Sequence, residues 1–303
     1  MTPTTSSSSI SSNSSSSEPW QRLKVHHITG YHYDYPVTDS VNTLRLHPRQ
    51  SLHQKIENHL LSVFPPIRLT SSPDLNGNRV HHVEIKRPHT SLRIENRLTV
   101  SIQNPVEHGK TPYGIPHESL SKCRHHEDTQ RFLENSSFVE LTPEIYHQAL
   151  AIQADSNDVF ETAYAITNHL FEQCQYVSGS TDVTTSAGDF LQNKVGVCQD
   201  FAHGMVALCR SIHIPARYIS GYLFDSSPDT GEVRGAGATH AWVEIFIPSN
   251  GWIALDPTNN LIVNENYITL AHGRDYQDVA PVAGSYLGGS GTHLEVKVKV
   301  ERV

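Results

Sequence analysis

The sequence predicts an α+β protein, in which an antiparallel β-sandwich domain precedes a half that has helices first and an antiparallel sheet after them. From about Trp20 to Pro105 apolar and polar residues alternate, as they do along Leu92–Ile102, which is typical of strands with one buried face. After about residue 110 the apolar residues recur at helical spacing, as in Val159, Ala163 and Ile166. A chain of 303 residues is long enough for two such units.

The second half divides into helices and strands by its capping and breaking residues. Thr142 before Pro143 predicts the start of one helix, and Ser156 or Asp158 caps the next. A third, very apolar helix begins at Cys198 and stops before Pro215. Strands are predicted over 216–224, 238–247, 252–256 and 294–300. The predicted units are a disordered Ser-rich tail over 1–19, a β domain over 20–112, and a core over 113–303 that includes the C-terminal strand.

Charge and hydropathy limit the class of protein. The formal net charge is −8, so the chain lacks the basic surface that nucleic-acid binding requires. No run of 18 apolar residues is present, so we expect no membrane contact. The Ser-rich tail has neither the basic nor the apolar part of a signal peptide, and we therefore expect a cytoplasmic protein.

The cysteines and histidines suggest neither a disulfide nor a metal site. The four cysteines form no CxxC pair. Cys198 and Cys209 would be about 16 Å apart along one helix, too far for a disulfide, whereas Cys174 and Cys209 occupy apolar helical positions typical of core thiols. The 20 histidines include three adjacent pairs without metal-ligand spacing, and we interpret them as surface or interface residues. No cofactor is predicted.

Three residues together indicate a thiol nucleophile. Cys198 opens the apolar helix, and His240 and Asp256 follow near strand ends, at spacings of 42 and 16 residues. A free thiol has a pKa near about 8.5, and both a helix N-terminus and a nearby imidazolium lower it. Taken singly, a buried thiol, a core histidine and an Asp-Pro turn are the simpler interpretations. In this order the three predict a nucleophile, its base and the residue that orients the base.

The sequence around these three residues and beyond them resembles the transglutaminase-like superfamily, and within it the bacterial branch described as transglutaminase-like cysteine proteases. The resemblance covers about 280 residues. The motifs that carry it are the N-terminal stretch Tyr33–Pro48, the turn Asp74–Asn78, Gly196-Val197-Cys198-Gln199-Asp200-Phe201-Ala202-His203, Ile214–Tyr222, Thr239-His240-Ala241-Trp242-Val243-Glu244, Asp256-Pro257-Thr258 and Gly273–Pro281.

The resemblance implies a papain-like core in which a Cys-bearing helix packs on an antiparallel sheet. It makes Cys198 the nucleophile, His240 the general base and acid, and Asp256 the residue that orients the imidazole. Two further candidates for the cleft or the oxyanion site are Trp242 and Tyr222, with core packing an equal interpretation for the tryptophan. Gln192 is a third candidate, because it precedes the cysteine by six residues, as the oxyanion-hole glutamine of papain-like enzymes does.

The sequence leaves three functions open. The first is a thiol-dependent acyl hydrolase, a cysteine peptidase or amidase that acts on a protein or peptide through a thioester. The second is a transglutaminase, which passes the acyl group of glutamine to an amine. The third is a non-catalytic binding protein on the same scaffold, which the intact set of three residues disfavours. The acyl acceptor, the substrate and the oligomeric state stay open.

Overall fold

The computed structural model describes residues 20–106, 112–226, 233–235, 237–289 and 291–303, so the predicted Ser-rich tail lies outside the described residues. The strands are β1 Gln21–Leu44, β2 Gln54–Phe64, β3 Thr70–Pro73, β4 Arg79–Ile85, β5 His89–Ile102, β6 Gln175–Tyr176, β7 Val195–Gly196, β8 Ala216–Leu223, β9 Thr239–Ile247, β10 Gly251–Asp256, β11 Leu261–Ile262, β12 Tyr267–Gly273, β13 Val282–Gly288 and β14 Thr292–Arg302. The α-helices are α1 Glu127–Gln130, α2 Pro143–Gln153, α3 Val159–Gln173, α4 Ala187–Asn193, α5 Cys198–Ser211 and α6 Tyr276–Val279, with 3₁₀ turns at His117–His125 and Arg131–Leu133.

The first sheet has seven strands arranged around the long β1. Its order is β2-β5-β1-β4-β3, and β13 and β14 pair with β1 as well. Alternation along the strands buries one face, whose apolar residues include Leu23, Val25 and Leu98. A two-sheet sandwich was predicted for this region, but its strands form one sheet. The second layer of this core comes from the sheet that contains β8 to β12, whose Ile268 and Leu270 pack against the buried face of the first sheet. Alternation reveals that a face is buried without revealing what covers it.

The strand predicted near the C-terminal end is present, but its assignment to the second unit is wrong. The strand β14 runs antiparallel to β1, from Leu23 opposite Arg302 to Tyr33 opposite Thr292. The strand β13 continues along the same edge of β1. Neighbours in sequence usually pair, which favours pairing of β14 with the second sheet, but its partner is β1, the first strand of the described residues.

The second sheet carries the apolar helix, as predicted. Its order is β11-β10-β9-β8-β12, with all pairs antiparallel. The helix α5 packs on β9, and Phe201, Met205 and Leu208 share one core with Val243 and Ile245. Helices α2, α3 and α4 surround α5 on its other sides. The α+β fold class predicted from the sequence is therefore confirmed.

A buried arginine fixes the C-terminal end of α5. Arg210 donates to the carbonyl oxygens of Ala216 at 3.0 Å, Glu134 at 2.9 Å and Arg274 at 2.7 Å. Burial lowers the pKa of its guanidinium to about 9, while the nearby Asp275 raises it. These bonds connect the C-terminal end of the helix to three separate segments and hold that end in a fixed place. None of the helices in the described ranges has the length and apolar character needed to cross a membrane.

Candidate active site

The thiol of Cys198 stands at the first turn of α5, directly after the short strand β7. The carboxylate of Asp200 caps this turn, because its Oδ2 accepts the N–H of Val197 at 2.7 Å and the hydroxyl of Thr181 at 2.5 Å. A β-carbon added at Gly196 would lie 2.7 Å from the Asp200 side chain, so the capped turn requires glycine there. Burial raises the pKa of Asp200, although its hydrogen bonds oppose that effect. Asp200 is therefore a structural residue of this turn.

His240 and Asp256 form a completely buried pair on adjacent strands of the second sheet. The Nε2 of His240, at the start of β9, lies 2.8 Å from Oδ2 of Asp256, at the end of β10. Both side chains have 0% exposure. Burial alone would lower the pKa of His240, but the Asp256 charge and hydrogen bond outweigh it and raise that pKa to about 10. The Asp256 carboxylate therefore favours the protonated form of the imidazole.

The carboxylate of Asp256 accepts hydrogen bonds from several donors besides His240. Oδ2 accepts further hydrogen bonds from Tyr267 Oη and Asn259 Nδ2, both at 2.8 Å. Oδ1 accepts the backbone N–H of Thr258 at 2.8 Å and that of Asn259 at 3.3 Å. Burial opposes the charge, but His240 and these donors together hold the pKa of Asp256 below its usual value. The carboxylate can thus remain ionised inside the core.

The imidazole of His240 is enclosed on several sides. Trp242 stacks on it with ring centroids 6.2 Å apart, and the ring of Tyr267 lies 6.1 Å away. Its Nδ1 is buried and lacks a hydrogen-bond partner of good geometry among the described residues. The Cys198 thiol contributes to the raised pKa of His240, after Asp256. With Nε2 bound to the carboxylate, Nδ1 is the nitrogen that remains for the thiol.

Three tyrosines, Tyr176, Tyr218 and Tyr276, lie near enough to Cys198 for its charge to affect their pKa values, and the sequence gives no signal for Tyr176 and Tyr276. Burial, followed by the charge of Cys198, raises the pKa values of Tyr218 and Tyr276, and it raises that of Tyr176 to about 12. Tyr176 reaches this position because β6 pairs with β7, which places it opposite Gly196. No spacing in the sequence signals this arrangement, since the three residues come from separate elements.

The lesser candidates from the sequence lie in different environments. Gln192 is exposed on α4, and Trp242 is buried beside His240. Tyr222 was expected near the cleft, but that placement is wrong. Its hydroxyl shares a hydrogen bond of 2.8 Å with His27 between the two sheets. Gln199, which was not singled out, has a buried Nε2 without a partner among the described residues.

The other three cysteines are buried in the core. All four cysteines are free, and Cys123, Cys174 and Cys209 are buried, which confirms the prediction that Cys174 and Cys209 are core thiols. Burial raises the pKa of Cys174 to about 11 and that of Cys209 to about 12. In the described part of the chain no group of three or more His, Cys, Asp or Glu side chains is arranged to hold a metal ion.

Comparison with known proteins places this site in a family. Residues 147–257 match the core of the transglutaminase-like superfamily, and residues 23–101 match the bacterial transglutaminase-like N-terminal region. An uncharacterized protein of Mycobacterium leprae is 32% identical over 285 residues, covering 93% of this chain and 99% of its own. A protein-glutamine gamma-glutamyltransferase of Pseudomonas aeruginosa is 37% identical over 79 residues, which are 23% of this chain and 11% of the enzyme.

Among solved structures, a protein of Cytophaga hutchinsonii named a "putative cysteine protease" superposes with a TM-score of 0.75 at 25% identity. The match covers 94% of this chain and 91% of that protein. The family match over residues 147–257 includes the segments that carry Cys198, His240 and Asp256. By sequence and by fold, the chain belongs to the transglutaminase-like superfamily and carries the N-terminal region of its bacterial members.

Proposed function

We propose that this protein is a thiol-dependent acyl hydrolase, a cysteine peptidase or amidase in which Cys198, His240 and Asp256 act together. The observation that carries the proposal is the buried hydrogen bond of 2.8 Å between His240 and Asp256, beside a cysteine at a helix N-terminus. A buried imidazole held protonated by a carboxylate supports a thiolate, because the positive charge lies next to the sulfur.

In the proposed acylation step, the Cys198 sulfur attacks the carbonyl carbon of an amide. The C–S bond forms, and the negative charge moves to the carbonyl oxygen. The N–H groups of Cys198 and Gln199 belong to the first turn of α5, lack carbonyl partners within the helix, and can stabilise that oxygen. When the tetrahedral intermediate collapses, the C–N bond breaks and the imidazolium of His240 gives its proton to the departing amine. A thioester on Cys198 and a neutral imidazole remain.

Deacylation returns the site to its starting state. Water attacks the thioester carbon, His240 accepts a proton from that water, and the C–S bond breaks to release a carboxylic acid. Asp256 keeps its hydrogen bond to Nε2 throughout, so that Nδ1 continues to face the thiol. If an amine replaces water as the acceptor, the same thioester yields a new amide. The similarity to a protein-glutamine gamma-glutamyltransferase over 79 residues supports this second activity.

Thiol labelling tests the nucleophile without knowledge of the substrate. The protein is treated with a limiting amount of iodoacetamide at pH 7, and the labelled peptides are identified by mass spectrometry. We expect Cys198 to react much faster than Cys123, Cys174 and Cys209, which are buried and whose pKa values are raised by that burial. Similar rates at all four thiols would refute the proposal and favour a binding protein on this scaffold.

A second experiment distinguishes the two acyl acceptors. Peptide mixtures from a cell lysate are incubated with the wild-type protein and with the C198A variant, with and without a labelled primary amine. New peptide ends that appear only with the wild-type protein indicate a peptidase, and deamidated glutamine indicates an amidase. Labelled conjugates indicate a transglutaminase. The absence of every product, together with slow labelling of Cys198, would contradict an enzymatic role.

A further inference from the structure

The side chain of Asn259 connects the catalytic carboxylate to a loop beside the imidazole. Its Nδ2 donates to Oδ2 of Asp256 at 2.8 Å and to the carbonyl oxygen of Arg234 at 3.2 Å. Its Oδ1 accepts the backbone N–H of Arg234 at 2.8 Å. Only a carboxamide of this length offers both a donor and an acceptor, since a carboxylate would lack the two donated bonds. Asn259 therefore links Asp256 and Arg234 through one planar group.

The residue after Arg234 lies directly against His240. A β-carbon added at Gly235 would be 2.6 Å from Nδ1 and 3.0 Å from Cε1 of the imidazole. Those distances are shorter than a carbon contact allows, so the main chain approaches this closely only because the residue is glycine. The Arg234 side chain is held as well, with its Cζ 4.4 Å from the centre of the Phe171 ring. The position of Gly235 thus follows from bonds made by its neighbour.

We propose that Asn259 and Gly235 are positioning residues that fix the imidazole ring of His240. Asp256 holds the Nε2 edge of the ring, Gly235 packs against the Nδ1 edge, and the Asn259 carboxamide joins these two supports. A rotation of the ring that turns Nδ1 away from Cys198 would break the bond at one edge or collide at the other. The inference rests on the proposed function, because it assigns these residues to the nucleophile formed by Cys198 and His240.

Two glycines in this loop make a matched test. Gly235 and Gly237 have nearly the same backbone conformation, with φ of +80° and +81°. Alanine therefore strains both positions alike. An added β-carbon at Gly237 meets no atom of the described residues within 4 Å, whereas at Gly235 it meets His240. The G235A and G237A variants consequently have the same backbone strain, and only G235A places a methyl group against the imidazole.

The measurement is the second-order rate of Cys198 alkylation by iodoacetamide from pH 5.5 to 9, with melting temperatures as the control for folding. We expect G235A and N259A to slow alkylation at pH 6 by about 10-fold to 100-fold, because a displaced catalytic group can cost about two orders of magnitude. G237A should stay within about twofold of the wild-type rate, since its added methyl group meets none of the described residues. The two slow variants should approach the wild-type rate at pH 9, where the thiol ionises without help from His240.

The outcomes separate this inference from the proposed function. Slow labelling of Cys198 in the wild-type protein would refute the proposed function itself. Fast wild-type labelling with equal rates for G235A and G237A would overturn the positioning role of Gly235. A wild-type pH profile for N259A would overturn that of Asn259. If N259A fails to fold, the glycine pair decides the matter, because neither glycine substitution removes a side-chain hydrogen bond.

Discussion

Two buried histidines of this protein have opposite protonation behaviour, although they flank neighbouring residues of one strand. His240 pairs with Gly221 of β8, and His27 binds the hydroxyl of the adjacent Tyr222. Their exposures are 1% and 2%. Burial, together with the nearby His26, lowers the pKa of His27 to about 4, whereas Asp256 raises that of His240 to about 10. Both side chains are almost fully buried, so the difference between their pKa values comes from the groups that contact each imidazole.

The partners explain what each site can do. The Nδ1 of His27 shares a hydrogen bond with Tyr222 and its Nε2 shares one with Thr29, so a neutral ring satisfies both hydroxyls. His240 instead faces a carboxylate and a thiol, which favour the charged ring. The same side chain therefore contributes to packing between the two sheets in one place and, in the proposed mechanism, to proton transfer in the other.

The largest expected effect is the loss of turnover in H240A, whereas H27Q should mainly lower stability. H240A should lower turnover by about 10² to 10⁴, the usual value of a proton-transfer group, while the protein still folds with reduced stability because the buried Asp256 carboxylate loses its partner. H27Q should leave turnover within about twofold but lower the free energy of unfolding by about 1–3 kcal/mol, because a buried network loses a partner. Steady-state kinetics and urea denaturation of both variants check this. Loss of turnover in H27Q with unchanged stability would contradict the comparison.

The D256N variant tests whether the charge of the partner sets the state of His240. The sequence alone predicts a mild effect, since an amide oxygen can still accept from the imidazole. In the structure, an amide nitrogen in place of Oδ1 would face the N–H groups of Thr258 and Asn259. We expect a loss of about 1–3 kcal/mol in unfolding free energy from these unpaired donors.

Without the carboxylate charge, burial would also lower the pKa of His240, as it does at His27. NMR titration of the imidazole signals in D256N measures that change. A His240 signal that still titrates near the wild-type pH would show that the charge of Asp256 is dispensable.

Acid should destabilise the protein through His27. Its folded pKa of about 4 lies below the unfolded value of 6.5, so the unfolded state binds more protons below pH 6.5 and stability falls as the pH falls. Between pH 7 and pH 5 this difference amounts to about 2 kcal/mol. His240 has the opposite sign: its contribution is complete below pH 6.5 and is lost as the pH rises toward 10. Denaturation at both pH values should give a smaller difference for H27Q than for the wild type, and an equal difference would refute the assignment.

The smallest expected effect is that of Y222F. The substitution removes the hydroxyl between His27 and Asn96, whose Nδ2 lies 3.3 Å from it, but keeps the ring in place. We expect a loss of about 1 kcal/mol in unfolding free energy and no change in turnover. Differential scanning calorimetry and kinetics measure the two effects. A fall in turnover would restore Tyr222 as a residue of the cleft.

The sequence predicted the parts of this protein that depend on local pattern. The apolar stripe and the breaker at Pro215 predicted α5 with its start at Cys198, and period-two alternation predicted the strands. Tyr222 was misplaced because both faces of β8 are buried, so alternation cannot tell which face meets the cleft. Asn259, Tyr267 and Gly235 were missed because their importance arises from hydrogen bonds and contacts between loops, which no periodicity encodes.

The pairing of β1 with β14 has a consequence for the order in which the molecule assembles. The two strands are separated by the whole of the second sheet in the sequence, and Leu23 meets Arg302 across the ladder. Contacts over such long separations form slowly, because a large loop must close before they can stabilise the chain. During synthesis, one edge of β1 therefore stays open until every strand of the second sheet has left the ribosome. The unit that carries the thiol can thus be complete before the sheet on which it rests.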